Sequence, residues 1–565
     1  MRRVIAAVVV VPALLGLGAF ALARGNGASS PARPGGAAPA RKEPPGWLVD
    51  EAAARGVEFR LGHGGRSPLT ILETMGTGCA VLDFDADGHA DLFLVGQTGA
   101  GDGRCGLFRN DGTGRFENVT AGSGLEAPGM YLGVASGDFD NDGLPDLLLT
   151  GYGESRLYRN LGKGRFADRT AGSGLTSPSP TSWQTSVAVA DVNGDGLLDL
   201  YVGRYVVFNE ETIRLCDYGE YQSSCGPMFY DPQFGSLYLN RGNFRFQDVT
   251  REYGLDKQHG KCLGAAFADV NDDGWPDLYL GNDEMPGDLF LNQGGKRFVN
   301  KAFAAGVATS ADGKMQGAMG VEFGDLDRDQ RLDLVVSTYE FEPTSVYLNR
   351  GGEMFENRSL ALGVDQLTRP YVGFGTKFLD ADNDGWLDLL VGNGHIHDNQ
   401  PLIDKLGQYA QPMQLFRSRE GGGFSDASAE AGSSLTTPGV IRGIATGDLN
   451  DDGLLDAVAT DLEGTARVLI NRHPQPGNWL RVKLRGTRSN RDGIGARIQV
   501  IAGEQRWTAQ AATCGSYLSA SDPRVHVGLG ATRQVDRVEV RWPSGRRTVV
   551  ESPQVPGDLL VVESK

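Results

Sequence analysis

The chain has 565 residues, room for a large repeat domain and a small partner, and its 81 glycines without a collagen-like period point to many turns. A formal charge of −17 disfavours nucleic acid as a partner. Six cysteines, none in a CxxC and without a matching set of histidine ligands, make poor catalytic-thiol or zinc sites.

In chain order, residues 1–23 come first. Arg2-Arg3 is followed by an apolar run ending Ala21-Leu22-Ala23, which reads as a secretory signal with an A-x-A cleavage site. The competing reading is an uncleaved signal anchor, since twenty apolar residues span a bilayer. Only in that case is a membrane a partner. Either way the folded part is expected to be exported: secreted, periplasmic or on the cell surface. Residues 24–45, rich in Pro, Gly, Ala and Ser, read as a flexible linker. In an exported chain the cysteines are expected in disulfides. Cys216 with Cys225 is the best pair, Cys79 with Cys105 a second, and Cys262 with Cys514 a third that would staple two domains.

From residue 46 to 475 one unit recurs. Asp83-Phe84-Asp85-Ala86-Asp87-Gly88-His89-Ala90-Asp91-Leu92 is the first of seven copies, starting at 83, 138, 191, 269, 325, 380 and 448. Each has a carboxylate or amide at positions 1, 3, 5 and 9, usually glycine at 6, and an apolar strand from 10. Alternating oxygen ligands in a tight turn suit calcium, with up to seven ions. The ligand sets are Asp83, Asp85, Asp87 and Asp91; Asp138, Asp140, Asp142 and Asp146; Asp191, Asn193, Asp195 and Asp199; Asp269, Asn271, Asp273 and Asp277; Asp325, Asp327, Asp329 and Asp333; Asp380, Asp382, Asp384 and Asp388; Asp448, Asn450, Asp452 and Asp456. Seven divalent ions would add fourteen positive charges to −17 and leave −3, so the acidity is mostly ligand charge. In the fifth loop Gln330 replaces the glycine, which predicts a weakened site at a cost of about 1 kcal/mol.

Between loops come an apolar strand, a strand of the LYLN type, a Gly turn and a Phe, with Gly eight residues further on. Four short strands per unit of about 55 residues describe a propeller blade. The seventh unit lacks its last strand. Leu48, followed at the same spacing by Gly56-Val57, is expected to supply it and close the ring. Residues 476–565 change character. WLRVKLRG, IGARIQVIAG, VHVGLG, VDRVEVRW and LLVVES alternate apolar and polar residues between turns, as a small β-sandwich does. The fold class is all-β: a seven-bladed calcium-binding β-propeller followed by a small β-sandwich domain.

The tandem DxDxDGxxDL units resemble the FG-GAP/VCBS repeats of integrin α-chain propellers and many bacterial surface proteins. The tail, with SNRDGIGA at 489–496, VGLG at 527–530 and WPSG at 542–545, resembles the ASPIC/UnbV domain. The pairing is similar to the cartilage acidic protein family and its bacterial relatives. That resemblance implies a secreted calcium-binding propeller, with some members linked to matrix or cell-surface interaction and others to enediyne biosynthetic clusters.

Function is best sought in the two long intervals, at Arg204–Phe234 and His395–Met413. Both follow a blade's second strand, whereas the calcium loops follow the first, so alternating strand directions place both insertions opposite the calcium loops. Polar residues just past the second strands, among them Arg204, Tyr205, Asn282, Asp283, Tyr339, Glu340, His395, His397 and Asp398, are expected around one channel mouth. His395, His397, Asp398, Arg204 and Asp283 are the candidate catalytic or transition-metal residues. Against this, polar loop ends simply solvate a surface. No nucleophile elbow, phosphate loop, HExxH or dinucleotide fingerprint is present. The expected function is an adhesion module that binds an extracellular protein or glycan on the insertion face. The alternative is an exported enzyme acting on a carbohydrate or secondary metabolite through the His/Asp/Arg cluster.

Overall fold

The computed structural model describes residues 46–61, 65–97, 103–175, 179–257 and 260–565. The signal or anchor and the linker expected over 1–45 lie outside the described residues.

Seven antiparallel blades of four strands each follow one another along the chain; Gln316–Gly317 adds a strand to the fourth, and Cys514–Gly515 with Ser519–Ala520 adds two to the first. Their innermost strands are Cys79–Leu82, Tyr131–Gly137, Gln184–Ala190, Cys262–Ala268, Val321–Gly324, Gly373–Leu379 and Ile441–Gly447. Each is joined to its second strand by an aspartate-rich loop. Six of these strands are buried throughout, which explains their continuous apolar or small-residue runs, and in the fifth Glu322 and Phe323 are half-buried. In the seventh blade, Leu48–Asp50 pairs with Arg467–Asn471, with Leu48 opposite Asn471. The first segment of the propeller thus completes its last blade, and the ring leaves no open edge there.

The asparagine that ends most third strands ties each blade to the one before it. Asn160 donates to the carbonyl of Phe84 (2.8 Å), Asn240 to Phe139 (2.8 Å), Asn292 to Val192 (3.0 Å), Asn349 to Val270 (2.8 Å), Asn471 to Ala381 (2.7 Å) and Asn110 to Leu449 (2.7 Å). In the sixth blade the position is Ser418, too short for this reach.

Beyond Asn478 two sheets face each other. One is built from Asn478–Arg485, Val525–Gly530 and Gly557–Val562, the other from Arg497–Ala502, Gln505–Gln510, Arg537–Arg541 and Arg547–Glu551. They enclose a core that includes Val482, Ile498, Val500, Trp507, Val538 and Trp542.

A hairpin of this second domain, Cys514–Gly515 with Ser519–Ala520, enters the propeller's axial channel. It touches the innermost strands of all seven blades. Ala520 pairs in parallel with Ala80, Ser516 bridges Val321, Leu518 O accepts from Val134 N (3.0 Å), and Ser521 Oγ accepts from Thr446 N (3.1 Å). Tyr517 at its tip is fully buried, donates to Met75 O (3.1 Å) and packs edge-on against Phe374. The channel is therefore filled with protein.

Cys216–Cys225 is a disulfide, as expected, and closes the hairpin Leu215–Tyr218/Tyr221–Ser224. The other two expected pairs are corrected: Cys79, Cys105, Cys262 and Cys514 are free thiols. The Cys79 thiol points to Val458 O and Ser519, and Cys105 accepts from Gly96 N, so those two have different partners. The plug, rather than a Cys262–Cys514 bond, holds the second domain to the propeller.

Candidate functional site

The aspartate loops share one backbone design. Position 6 is left-handed, with φ between +72° at Gln330 and +100° at Gly88, so the glycine preference there has a steric cause. Position 4 is left-handed too, at Ala86, Asn141, Gly194, Asp272, Arg328, Asn383 and Asp451. Five of these seven are Gly, Asn or Asp, the residues that adopt this region most readily, and Ala86 and Arg328 are the exceptions. With the chain so folded, the position-1 carboxylate accepts from the position-6 amide in every loop, at 2.6–3.1 Å.

Position 9 does two jobs. Asp91 accepts from Phe84 N (3.1 Å) across its own loop and from Asn110 N (2.7 Å) at the end of the third strand. Asp146, Asp199, Asp277, Asp333, Asp388 and Asp456 repeat both bonds. All seven are at most 1% exposed. Burial pushes Asp91, Asp277, Asp333 and Asp388 up to about 8 and Asp146 to about 9, and holds Asp199 and Asp456 well above the usual carboxylate range.

Four loops bring carboxylate oxygens of positions 1, 3 and 9 within 4.8 Å of one another: Asp83/Asp85/Asp91, Asp138/Asp140/Asp146, Asp325/Asp327/Asp333 and Asp380/Asp382/Asp388. In the first and fifth loops one oxygen of each of Asp83, Asp85, Asp325 and Asp327 is buried without a hydrogen-bond partner among the described residues. Hard oxygen donors, left unsatisfied and facing each other, fit a divalent cation. In the loops with Asn193, Asn271 and Asn450 the amide instead donates to the position-5 aspartate at 2.9–3.1 Å.

The pH dependence follows from the raised position-9 carboxyls. Without cation the folded chain holds protons there that the unfolded chain has released above pH about 4, so stability falls as pH rises from about 4 towards about 8. Bound cation removes the penalty. In excess chelator the melting temperature is expected to be lower at pH 8 than at pH 5, with the gap closing in calcium. A cation-free melting temperature that rises over this interval would contradict the assignment.

The second domain covers these loops. Residues 476–565 carry 14 Lys and Arg against 8 Asp and Glu, and the excess is spent on loop aspartates. Arg541 meets Asp269 (2.6 Å), Arg481 meets Asp448 (3.0 Å), and Arg328 lies between the rings of Trp386 and Trp507.

On the opposite face the two insertions meet. Ser223 Oγ lies 2.8 Å from His397 Nδ1, Asn399 donates to Gln222 O (2.8 Å), and the Tyr218 and His397 rings pack at 4.9 Å. Under them, Tyr205 donates to Asp283 at 2.5 Å; His395 Nε2 faces Tyr339 Oη (3.4 Å) and Glu340 (3.3 Å); and His395 Nδ1 accepts from His397 N (3.0 Å). Burial, then neighbouring His395, pulls His397 down to about 3, a neutral imidazole. Burial pushes Asp283 up to about 7, helped by Glu284 and Glu342.

Of the five candidates, His395 and His397 come together, and Asp283 is near them only through Tyr339. Arg204 does not join them: its guanidinium reaches Ser236 Oγ (2.8 Å) and Phe234 O, because neighbours on a strand point to opposite sides and Tyr205 takes the cluster side. Asp398 turns away to clamp Ser67 (3.0 Å) and Leu69 N (3.1 Å). Sequence reasoning missed Arg442, fully buried, which donates to the carbonyls of Thr74, Gly394, Ile441 and His395 at 2.8–3.0 Å and lies over the Phe374 ring. Arg442 fixes the backbone that presents His395. The mouth itself is closed by Met75, Trp183, Tyr205, Phe374 and Tyr517, so the insertion face is a surface with no channel behind it.

The sequence matches the FG-GAP-like repeat over residues 83–149, 138–202, 269–336 and 325–391, and the ASPIC and UnbV domain over 486–565. It is 26% identical over 495 residues to cartilage acidic protein 1 of Mus musculus, covering 83% of this chain and 70% of that one. With the Homo sapiens protein the identity is 28% over 370 residues, 64% of this chain and 50% of that one. Among solved structures, the lectin BP39L from Burkholderia pseudomallei has a TM-score of 0.44 at 11% identity, covering 69% of this chain and 94% of that chain. Among the described residues no helix is long and apolar enough to cross a membrane.

Proposed function

This chain belongs to the family that joins FG-GAP repeats to a C-terminal ASPIC and UnbV domain, and we propose that it is an exported, calcium-stabilised adhesion module whose ligand docks on the insertion face. One observation carries the reading. Insertions from the third and sixth blades, far apart in sequence, meet through Ser223, Gln222, His397 and Asn399, while the second domain covers the aspartate loops. A rigid scaffold with its freest loops gathered on one face is how binding proteins present a site. The orphaned oxygens support calcium in the loops, up to seven ions, and the disulfide supports export. An exported enzyme finds less support, because Arg204 and Asp398 face away from His395 and His397.

The test uses the full chain, loaded with calcium and tetramerised, on a glycan array and a random-peptide display library. Binding is expected to be lost when Met228 and Phe341, both exposed on the insertion face, are changed to Ser, with the melting temperature unchanged. Binding that survives these changes and is lost with Arg541→Ala would move the site to the loop face and sink the proposal.

A further inference from the structure

The insertion face is unusually apolar at its rim. Met228 is 75% exposed, Phe229 51%, Met315 56% and Phe341 70%. These residues form one arc. Pro227–Phe229 lies against the strand Asp277–Met285, Met285 pairs with Gln316 beside Met315, and Gln316 donates to Pro343 O (3.2 Å) two residues from Phe341. Contiguous exposed apolar side chains mark an interaction surface, and methionines adapt to an irregular partner.

Along the same arc runs a row of carboxyl groups. Asp283, Glu284 and Glu342 sit between the apolar residues, and Glu342 accepts from Gly317 N (2.8 Å) across the arc. Burial, then Glu284 as well, pushes Glu342 up to about 7. The cations along the arc are already engaged: Lys261 is tied to Pro227 O (2.8 Å), Arg369 to Asp365 and Phe341 O (2.8 Å), and Lys314 to Asp312 (2.7 Å). One carboxylate oxygen of Glu284 is buried with no hydrogen-bond partner among the described residues. Glu284 and Phe341 both hold left-handed backbones, at φ +52° and +65°.

We infer that the insertion face docks a protein segment carrying a lysine or arginine flanked by apolar residues. Glu284 and Glu342 receive the cation, Asp283 being taken by Tyr205, and the arc of Met and Phe receives the neighbours. A neutral glycan offers no charge for Glu284 and Glu342 and little apolar surface for Met228 and Met315. The inference rests on the insertion face being the binding face.

A random-peptide display library is selected on the calcium-loaded full chain. The recovered pool is expected to be enriched in Lys or Arg next to Leu, Ile, Phe or Met. Individual peptides are expected to bind about tenfold more weakly to the Glu284→Gln/Glu342→Gln variant, as for a lost charge-assisted contact. A Phe341→Ser variant should weaken them similarly, with melting temperatures unchanged in both. A pool without basic enrichment, or peptides that bind the double variant as well as the wild type, overturns the inference. If no peptide binds and a glycan does, with loss in Phe341→Ser, the partner class is wrong and the face is right. If neither probe depends on this face, both readings fall.

Discussion

Excess chelator is expected to lower the melting temperature of the full chain by on the order of 10 °C or more. Each cation held at a hundredfold over its dissociation constant stabilises the native state by about 2.7 kcal/mol, because the unfolded chain has no such site. With an unfolding entropy of about 2.1 cal/mol/K per residue, a domain of this size loses roughly a degree per kcal/mol, so several sites add up to that shift. The structure supplies the cause. Burial first, and then neighbouring carboxylates (Asp492 and Asp142 for Asp138, Asp329 and Asp327 for Asp325), raise the proton affinity of the loop aspartates, and a bound cation would let them stay ionised together. Within the total, Asp140→Ala is expected to cost more than Asp327→Ala. Both residues sit in converged oxygen sets, but the fifth loop holds Gln330 at φ +72° where the second holds Gly143 at +94°. An unchanged melting curve in chelator would remove calcium from the account, and equal losses at the two positions would remove the glycine argument.

The repeat was legible because its chemistry is written in residue types: aspartates at alternate positions, and glycine where φ must be positive. Position 4 of the loops carried a weaker signal: Asn141, Gly194, Asp272, Asn383 and Asp451 are types that favour the left-handed backbone, whereas Ala86 and Arg328 adopt it without any sign in their side chains. The terminal asparagines were visible as a pattern, but their reach to the preceding blade depends on ring closure, a property of the whole fold. Arg204 was placed with Tyr205 because they are adjacent, although strand alternation argues that they part. Cys216 and Cys225 lie nine residues apart in one hairpin, so their pairing needed no tertiary knowledge. Cys262 and Cys514 are far apart in sequence, and counting cysteines could not say whether their thiols meet. The insertions are found by length alone and meet through Ser223 and His397, whereas the chemistry beneath them is readable only in part. The plug left the faintest trace. AATCGSYLSAS is a run of small residues with one tyrosine between two clear strands, and nothing in that composition says channel.

The plug leads to the other large effect. Tyr517→Ala is expected to destabilise the full chain by about 3–5 kcal/mol, as for other fully buried aromatics, measured by denaturant unfolding at saturating calcium. The ring packs in the cluster that holds Met75, Phe374, Leu132 and Met319, next to Ser516, whose carbonyl and hydroxyl accept from Val321 N and Thr376 N. Tyr517→Phe removes only the bond to Met75 O and should cost about 1 kcal/mol. The contrast between the two variants separates packing from hydrogen bonding. The wider consequence concerns the inner strands. Cys79, Val134, Val321, Thr376 and Thr446 all donate their backbone N–H to residues 516–521. In a chain ending at residue 475 those donors and the apolar wall around them would face an open channel. Such a truncated propeller is expected to be recovered aggregated or molten, with the seven aspartate loops intact in sequence but not in structure. A soluble, cooperatively melting 46–475 fragment, or a Tyr517→Ala chain within about 1 kcal/mol of wild type, would show that the hairpin merely occupies the channel. The expected loss would make the second domain part of the propeller's own core.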